Sequence, residues 1–252
     1  YIGKVRNDTL GGVFHHDINA IGVDYRTPAA TGGETTARCL IFVTPDAQRT
    51  MQTYLGISIT LGPDDIDETA IKESQITYLE GYLFDPPEAK QAFVKAAEIA
   101  HAAGRKVALT LSDPFCVDRH RAEFMHLISG HVDIVFANED ETKSLFEVDD
   151  FDAALQQMRG HCEIAAMTRS EKGSVIVAGD DIHVVDAAPV DRVVDTTGAG
   201  DLFAAGFLFG LTQSRDLVDC GRMGGLAAAE IIGHYGARPE VSLEKLLAES
   251  GI

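Results

Sequence analysis

The run Asp195-Thr196-Thr197-Gly198-Ala199-Gly200-Asp201 stands directly before an apolar stretch, Leu202 to Leu211, that reads as a helix. Two glycines around a small alanine let the backbone approach a ligand closely, and the N–H groups that open a helix form a cup for an anion. Asp201 falls in the first turn, beside that cup. A carboxylate there could take the proton from a hydroxyl as the hydroxyl attacks the anion. An anion cradle next to a base is the division of labour that phosphoryl transfer requires. The same residues have a plainer use, because aspartate favours first helical turns for capping and dipole reasons and glycine-rich turns are common. The Asp-Thr-Thr in front and the small-residue helix behind weigh towards the anion site.

The elements that must hold this motif alternate in type along the chain. Apolar strands are expected at Thr77–Leu83, Lys106–Leu111, Val132–Ala137 and Glu163–Thr168, with helices at Glu88–Ala103, Arg119–Ile128 and Phe151–Met158 between them. Continuous apolar strands alternating with helices predict an α/β fold with a mostly parallel central sheet covered by helices. Ser174–Ala178 and Ile182–Val185, split by Gly179-Asp180-Asp181, read as an antiparallel hairpin at its edge. Helices at Ala199–Leu211 and Leu217–Ile232 close the chain. Nearer the start, a helix at Leu10–Ile21, a hairpin of Cys39–Val43 and Thr50–Leu55, and an acidic helix at Asp64–Gln75 are expected.

With 252 residues the chain can bury a full hydrophobic core in one large domain. Acidic residues outnumber basic ones 39 to 21, and the formal charge of -18 argues against sequence-general binding of nucleic acid. No apolar stretch is long enough for a membrane helix. Cys39, Cys116, Cys162 and Cys220 are widely spaced, which suits neither a zinc site nor a disulfide framework and points to a reducing cytoplasm. His15, His16, His101, His120 and His126 match no metal spacing.

DTTGAGD followed by LFAAGFLFGL resembles the signature of the ribokinase or PfkB family of carbohydrate and nucleoside kinases. YIGKVRNDTLGGVFHHDINAIGVDY resembles that family's early segment, and Asn138-Glu139-Asp140-Glu141 its strand-end N-x-x-E element. Thr168 to Gly173 sits where the family has a T-x-G-x-x-G nucleotide loop, with Ser170 at a position usually glycine. Ala227-Ala228-Ala229 to Gly236-Ala237 resembles the adenine-side helix and loop. The likeness covers nearly the whole chain in the right order. It implies a three-layer ribokinase-like fold in a single domain, with a small β lid at about residues 30–57.

The resemblance also implies roles. Asp201 would be the base, with Gly198, Ala199 and Gly200 as the anion hole. Asn138 and Glu141 would organise Mg2+ through its water shell. Thr168, Ser170 and Gly173 would line the phosphate and ribose of ATP, with Ala228 and His234 on the adenine side. Asp195, the Thr197 carbonyl and a carbonyl near Gly236 would suit a monovalent cation such as K+. Each has a bland counterpart: a strand-end cap for Asn138 and Glu141, a turn carboxylate for Asp195, a helix C-cap for His234, and a turn residue for Arg49, which could otherwise reach a phosphate or the acceptor.

The acceptor is the least determined feature. The text of residues 39–56, with Tyr78-Leu79-Glu80-Gly81-Tyr82 and Ser112-Asp113-Pro114-Phe115-Cys116, resembles the adenosine-kinase-like branch. Phe115 could help wall a nucleoside base, so a nucleoside acceptor is expected, with a free sugar such as ribose, fructose or 2-keto-3-deoxygluconate as the alternative. A non-catalytic ATP-binding protein on the same scaffold also stays open. The family carries a first strand and a Gly-Gly segment ahead of the stretch matching Tyr1, so the sequence is expected to begin late in the kinase domain. The uncovered strand at Cys39–Val43 suggests a homodimer through the lid.

Overall fold

The computed structural model describes residues 1–252, which cluster into two compact units: Tyr1–Ile41 with Met51–Ala108, and Phe42–Thr50 with Leu109–Ile252. In the first, helix α1 (Thr9–Ala20) starts on Asp8, whose carboxylate accepts from the Gly11 amide at 2.9 Å and from the Thr36 amide and hydroxyl at 2.9 and 2.7 Å. Those bonds stabilise the ionised form and hold its pKa at about 2. Strands β1 (Arg38–Val43) and β2 (Arg49–Tyr54) form the expected small sheet, with Leu40, Ile41, Phe42 and Met51 exposed.

The acidic segment that reads as one helix makes two shorter starts. Asp65 accepts from the Gly62 amide over a 3-10 turn at Pro63–Asp65, and Asp67 then caps α2 (Glu68–Glu73) through the Ala70 amide. Two helix starts in one run, capped at Gly62 and Asp67, break it. Strand β3 (Ile76–Glu80) ends earlier than expected, because Gly81–Phe84 winds into a 3-10 turn. Helix α3 (Pro87–Ala102) buries Ala89, Ala92, Ala96, Ala97 and Ala100 along one stripe, and β4 (Lys106–Thr110) follows.

In the second unit α4 (Pro114–His131) begins earlier than the apolar pattern indicates. Asp113 caps it by accepting from the Phe115 and Cys116 amides, and Pro114 fills the first helical position, where its missing N–H costs nothing. The helix departs from helical geometry at His120, beside the start expected from sequence. Strand β5 (Ile134–Asn138) leads into α5 (Glu139–Phe146), then come α6 (Phe151–Met158), β6 (Ile164–Thr168), β7 (Ser174–Ala178) and β8 (Asp181–Val185). Helices α7 (Ala199–Thr212), α8 (Leu217–Ile231) and the unforeseen α9 (Leu243–Glu249) complete the chain.

The central sheet has the order β3-β4-β5-β6-β7-β8 and is mostly parallel. Strands β5 and β6 are parallel, and β7 and β8 extend the edge as the expected antiparallel meander. Beneath the motif helix, Phe136 on β5 meets Phe207 on α7 edge to face at 5.5 Å. Helices α7 and α8 approach through glycine: a Cβ at Gly206 would lie 2.5 Å from the Met223 carbonyl oxygen. No helix is long and apolar enough to cross a membrane.

Candidate active site

The DTTGAGD segment folds around a buried carboxylate. Asp195 is 3% exposed; one oxygen accepts from the Thr197 amide at 2.9 Å and the Thr197 hydroxyl at 2.6 Å. The other accepts from the Gly236 amide at 3.1 Å. Burial alone would raise its pKa, but these three donors and the charge of Arg49 outweigh it and keep the pKa below the ordinary value. The amides of Val194 and Asp195 both donate to the Ile232 carbonyl, at 2.8 and 3.4 Å. The motif is thereby tied to the segment that follows α8.

Gly198 precedes α7 with φ 83°, a left-handed conformation, and a Cβ there would stand 3.2 Å from the Cβ of Ala237. No side chain caps α7, and the amides of Gly200 and Asp201 donate to no protein acceptor. Open donors at the start of a helix of 14 residues attract a negative charge. The Asp201 carboxylate has no hydrogen-bond partner either. Partial loss of hydration pushes its pKa up, while the nearby Arg49 charge pulls it part of the way back. Arg49 opens β2 and donates from its guanidinium to the Thr196 hydroxyl. The structure therefore brings Arg49, Asp195, Thr197, Gly198, Ala199, Gly200 and Asp201 together.

A second group stands at the carboxyl ends of β5 and β6, whose register sets Asn138 opposite Thr168. Carboxyl ends of parallel strands are where open α/β sheets bind ligands. Asn138 and Glu141 form a complete capping box: the Asn138 side chain accepts from the Glu141 amide at 2.8 Å, and Glu141 accepts from the Asn138 amide at 2.9 Å. The Asn138 side-chain amide donates to the other Glu141 oxygen at 2.7 Å, so this buried carboxylate is held by its neighbour at both oxygens.

Beyond Thr168 the chain turns sharply. The Arg169 amide donates to the Gly173 carbonyl at 2.8 Å, closing the loop. Ser170 has φ 52°, so it keeps the left-handed backbone that glycine adopts more easily. The Arg169 guanidinium donates to Glu139 at 3.0 Å and lies 4.1 Å over the Phe151 ring. That hydrogen bond, with the charges of Lys172 and Lys143, lowers the Glu139 pKa and joins the loop to the first turn of α5.

At the far end of α8, Ala228 is half-buried and His234 is engaged at both ring nitrogens, 3.2 Å from Glu230 and 3.3 Å from the Tyr235 carbonyl. Burial opposes protonation of this ring, yet the carbonyl and the charges of Glu230 and Glu240 prevail and raise its pKa. Phe115 is 73% exposed on the first turn of α4. Sequence reasoning missed Arg169, Glu139 and Glu230. For Glu230 a signal existed, since it is the one acid in the run Leu226 to Ile232.

The profile of the pfkB family of carbohydrate kinases matches residues 1–244. An uncharacterized sugar kinase of Archaeoglobus fulgidus is 30% identical over 243 residues, covering 94% of this chain and 92% of the relative. Among solved structures, the adenosine kinase from Sinorhizobium meliloti is 52% identical with a TM-score of 0.97, over 99% of this chain and 77% of that one. A probable sugar kinase protein from Rhizobium etli CFN 42 is 50% identical, also with a TM-score of 0.97, over 100% of this chain and 76% of that one.

Proposed function

Because the chain belongs to the pfkB family of carbohydrate kinases and is a sugar or nucleoside kinase, we propose that it transfers the γ-phosphoryl of ATP to a primary hydroxymethyl group of an adenosine-like nucleoside. The observation that carries the chemistry is Asp201, an unpartnered carboxylate with a raised pKa beside the open amides of α7. In this reading Asp201 removes the acceptor hydroxyl proton as the oxygen bonds to phosphorus and ADP leaves. The open amides of Gly200 and Asp201 take up the charge of the transferring group. Arg49, fixed by Thr196, adds a positive charge at the same place.

The residues suit the remaining groups. Thr168, Ser170 and Gly173 would hold the phosphates and ribose, with Ala228 and His234 on the base side. No three His, Cys, Asp or Glu side chains converge as a direct metal cage, so Asn138 and Glu141 would hold Mg2+ through its water. Bound there, magnesium would supply charge neutralisation to the transferring phosphate. A K+ ion would meet the Thr197 and Gly236 carbonyls, with Asp195, whose oxygens already accept three hydrogen bonds, as its nearby counter-charge. Phe115, exposed and aromatic, would stack on the nucleoside base.

The nucleoside is favoured by the 52% identity to an adenosine kinase, and a free sugar is the second reading because two relatives are described as sugar kinases. ATP consumption with Mg2+ and K+ against adenosine, inosine, guanosine, ribose, fructose and 2-keto-3-deoxygluconate separates them. Nucleoside turnover lost by about 10²–10⁴-fold in Asp201→Asn supports the reading; turnover of a sugar alone removes the nucleoside and keeps the base. The hairpin of β1 and β2 would be the lid, pairing with a second copy through its exposed apolar residues. A monomer in sedimentation at all concentrations refutes that pairing.

A further inference from the structure

Glu230 is placed where a carboxylate is poorly tolerated. It lies in the last turn of α8, where the helix dipole disfavours an anion, and its side chain is only 8% exposed. One of its oxygens, Oε2, is buried with no hydrogen-bond partner. A group kept against desolvation, dipole and an unsatisfied acceptor must be retained for what its other oxygen does. That oxygen, Oε1, gathers three donors from a single downstream segment: the His234 ring at 3.2 Å, the Glu240 amide at 2.9 Å and the Val241 amide at 3.3 Å.

The segment closed in this way is the one that supports the DTTGAGD motif. Its Gly236 amide donates to Asp195, and Ala237 sits against Gly198, while the Ile232 carbonyl at its root accepts from Val194 and Asp195. Releasing Glu230 frees the far end of a ten-residue excursion whose middle contacts the anion cup. We propose that Glu230 is a positioning residue of the transfer site, tying residues 234–241 back onto α8 so that Gly236 and Ala237 fix Asp195 and Gly198. Glu230 touches neither reactant. It acts through the backbone that it gathers.

This inference rests on the kinase reading for its kinetic consequence but not for its structural one. Amide hydrogen exchange of Gly236, Glu240 and Val241 is compared in the full chain, in Glu230→Ala and in Glu230→Gln. The alanine variant is expected to lose protection at all three amides by about tenfold or more, whereas glutamine keeps an acceptor oxygen and retains most of it. In turnover, kcat/KM for ATP falls about tenfold or more in Glu230→Ala and stays within about threefold in Glu230→Gln, with KM for the acceptor unchanged. If Gly236 stays protected while Glu240 and Val241 open, the loop does not transmit the tether and the proposal is overturned. Equal losses in alanine and glutamine variants overturn it too, because the acceptor oxygen would then be irrelevant. Should the alanine variant fail to fold, Glu230→Asp, one methylene too short to reach both amides, is read in the same way. A wild-type chain that turns over no acceptor would defeat the kinase reading, and the exchange comparison would still decide the tether.

Discussion

Replacing Arg49 by glutamine removes a charge while leaving a side chain able to donate to Thr196. Arg49 is exposed, and its hydrogen bond to Thr196 lies at the surface, so that bond contributes about 0–1 kcal/mol to folding. Catalysis should respond far more. A single donor aimed at developing charge is worth about 10²–10³ in kcat, or about 3–4 kcal/mol. The two effects differ enough to separate a catalytic from a structural role. A pH profile adds a second criterion, because the Arg49 charge pulls down the raised pKa of Asp201. In the role proposed for it Asp201 works ionised, so kcat/KM is expected to rise with pH through that pKa and level off above it. Without Arg49 the carboxylate loses a stabilising cation, its pKa moves further up, and the acid limb shifts to higher pH. Steady-state kinetics across the acid limb, with urea unfolding of both proteins, test all three points. Refutation would be a kcat within about threefold of wild type on the plateau together with an unmoved limb.

Three further outcomes follow from the backbone and the caps. Gly206→Ala adds a methyl 2.5 Å from the Met223 carbonyl, a backbone atom that cannot swing away, so overpacking of about 1–3 kcal/mol exceeds the helix-propensity gain of about 1 kcal/mol. Gly130→Ala in α4, with nothing within 4 Å of the added carbon, keeps only the gain; chemical denaturation should give opposite signs for the two. Ser170→Gly should unfold at higher denaturant than Ser170→Ala, by about 1 kcal/mol, because φ 52° strains alanine and not glycine. Equal midpoints would dismiss the strain. Asp8 has a folded pKa of about 2 against an unfolded value of about 4, so its contribution is present above about pH 4 and is lost as pH falls towards 2. An NMR titration of its carboxyl should show the low pKa, and Asp8→Asn should flatten stability across that window.

Much of this structure was legible because its signals are local. The apolar runs at residues 132–137 and 163–168 became β5 and β6 with ends shifted by one or two residues, and helix α6 falls where periodicity puts it. Local signals also explain the failures. Asn138 and Glu141 form the strand-end cap that their types suggest, but the helix α5 that this cap begins was not expected from the sequence. The early start of α4 was written in Asp113-Pro114, a cap followed by the proline that tolerates a first turn, but the weak apolar pattern behind it concealed the helix.

The site divides along the same line. Asp201 and the glycines before it announce themselves through spacing, since the role proposed for them depends on one turn of backbone. Arg49 could be named from the sequence as a cation able to reach a phosphate, but not placed, because 147 residues separate it from Thr196 and only the folded chain brings a strand opening to the motif. Glu230 is intermediate: an acid inside Ala-Ala-Ala and Ile-Ile is conspicuous, but the amides it collects lie ten and eleven residues away. Charge placed against local preference marks such positions in the sequence, and only tertiary hydrogen bonding shows what the charge holds. The arrangement also explains why the pKa of Asp195 is lowered while that of Asp201, six residues later, is raised. Asp195 receives three donors, one of them from the tethered loop, whereas Asp201 receives none, so its oxygens remain open to an incoming hydroxyl. Two aspartates of one motif thus have their pKa values moved in opposite directions by the donors around them.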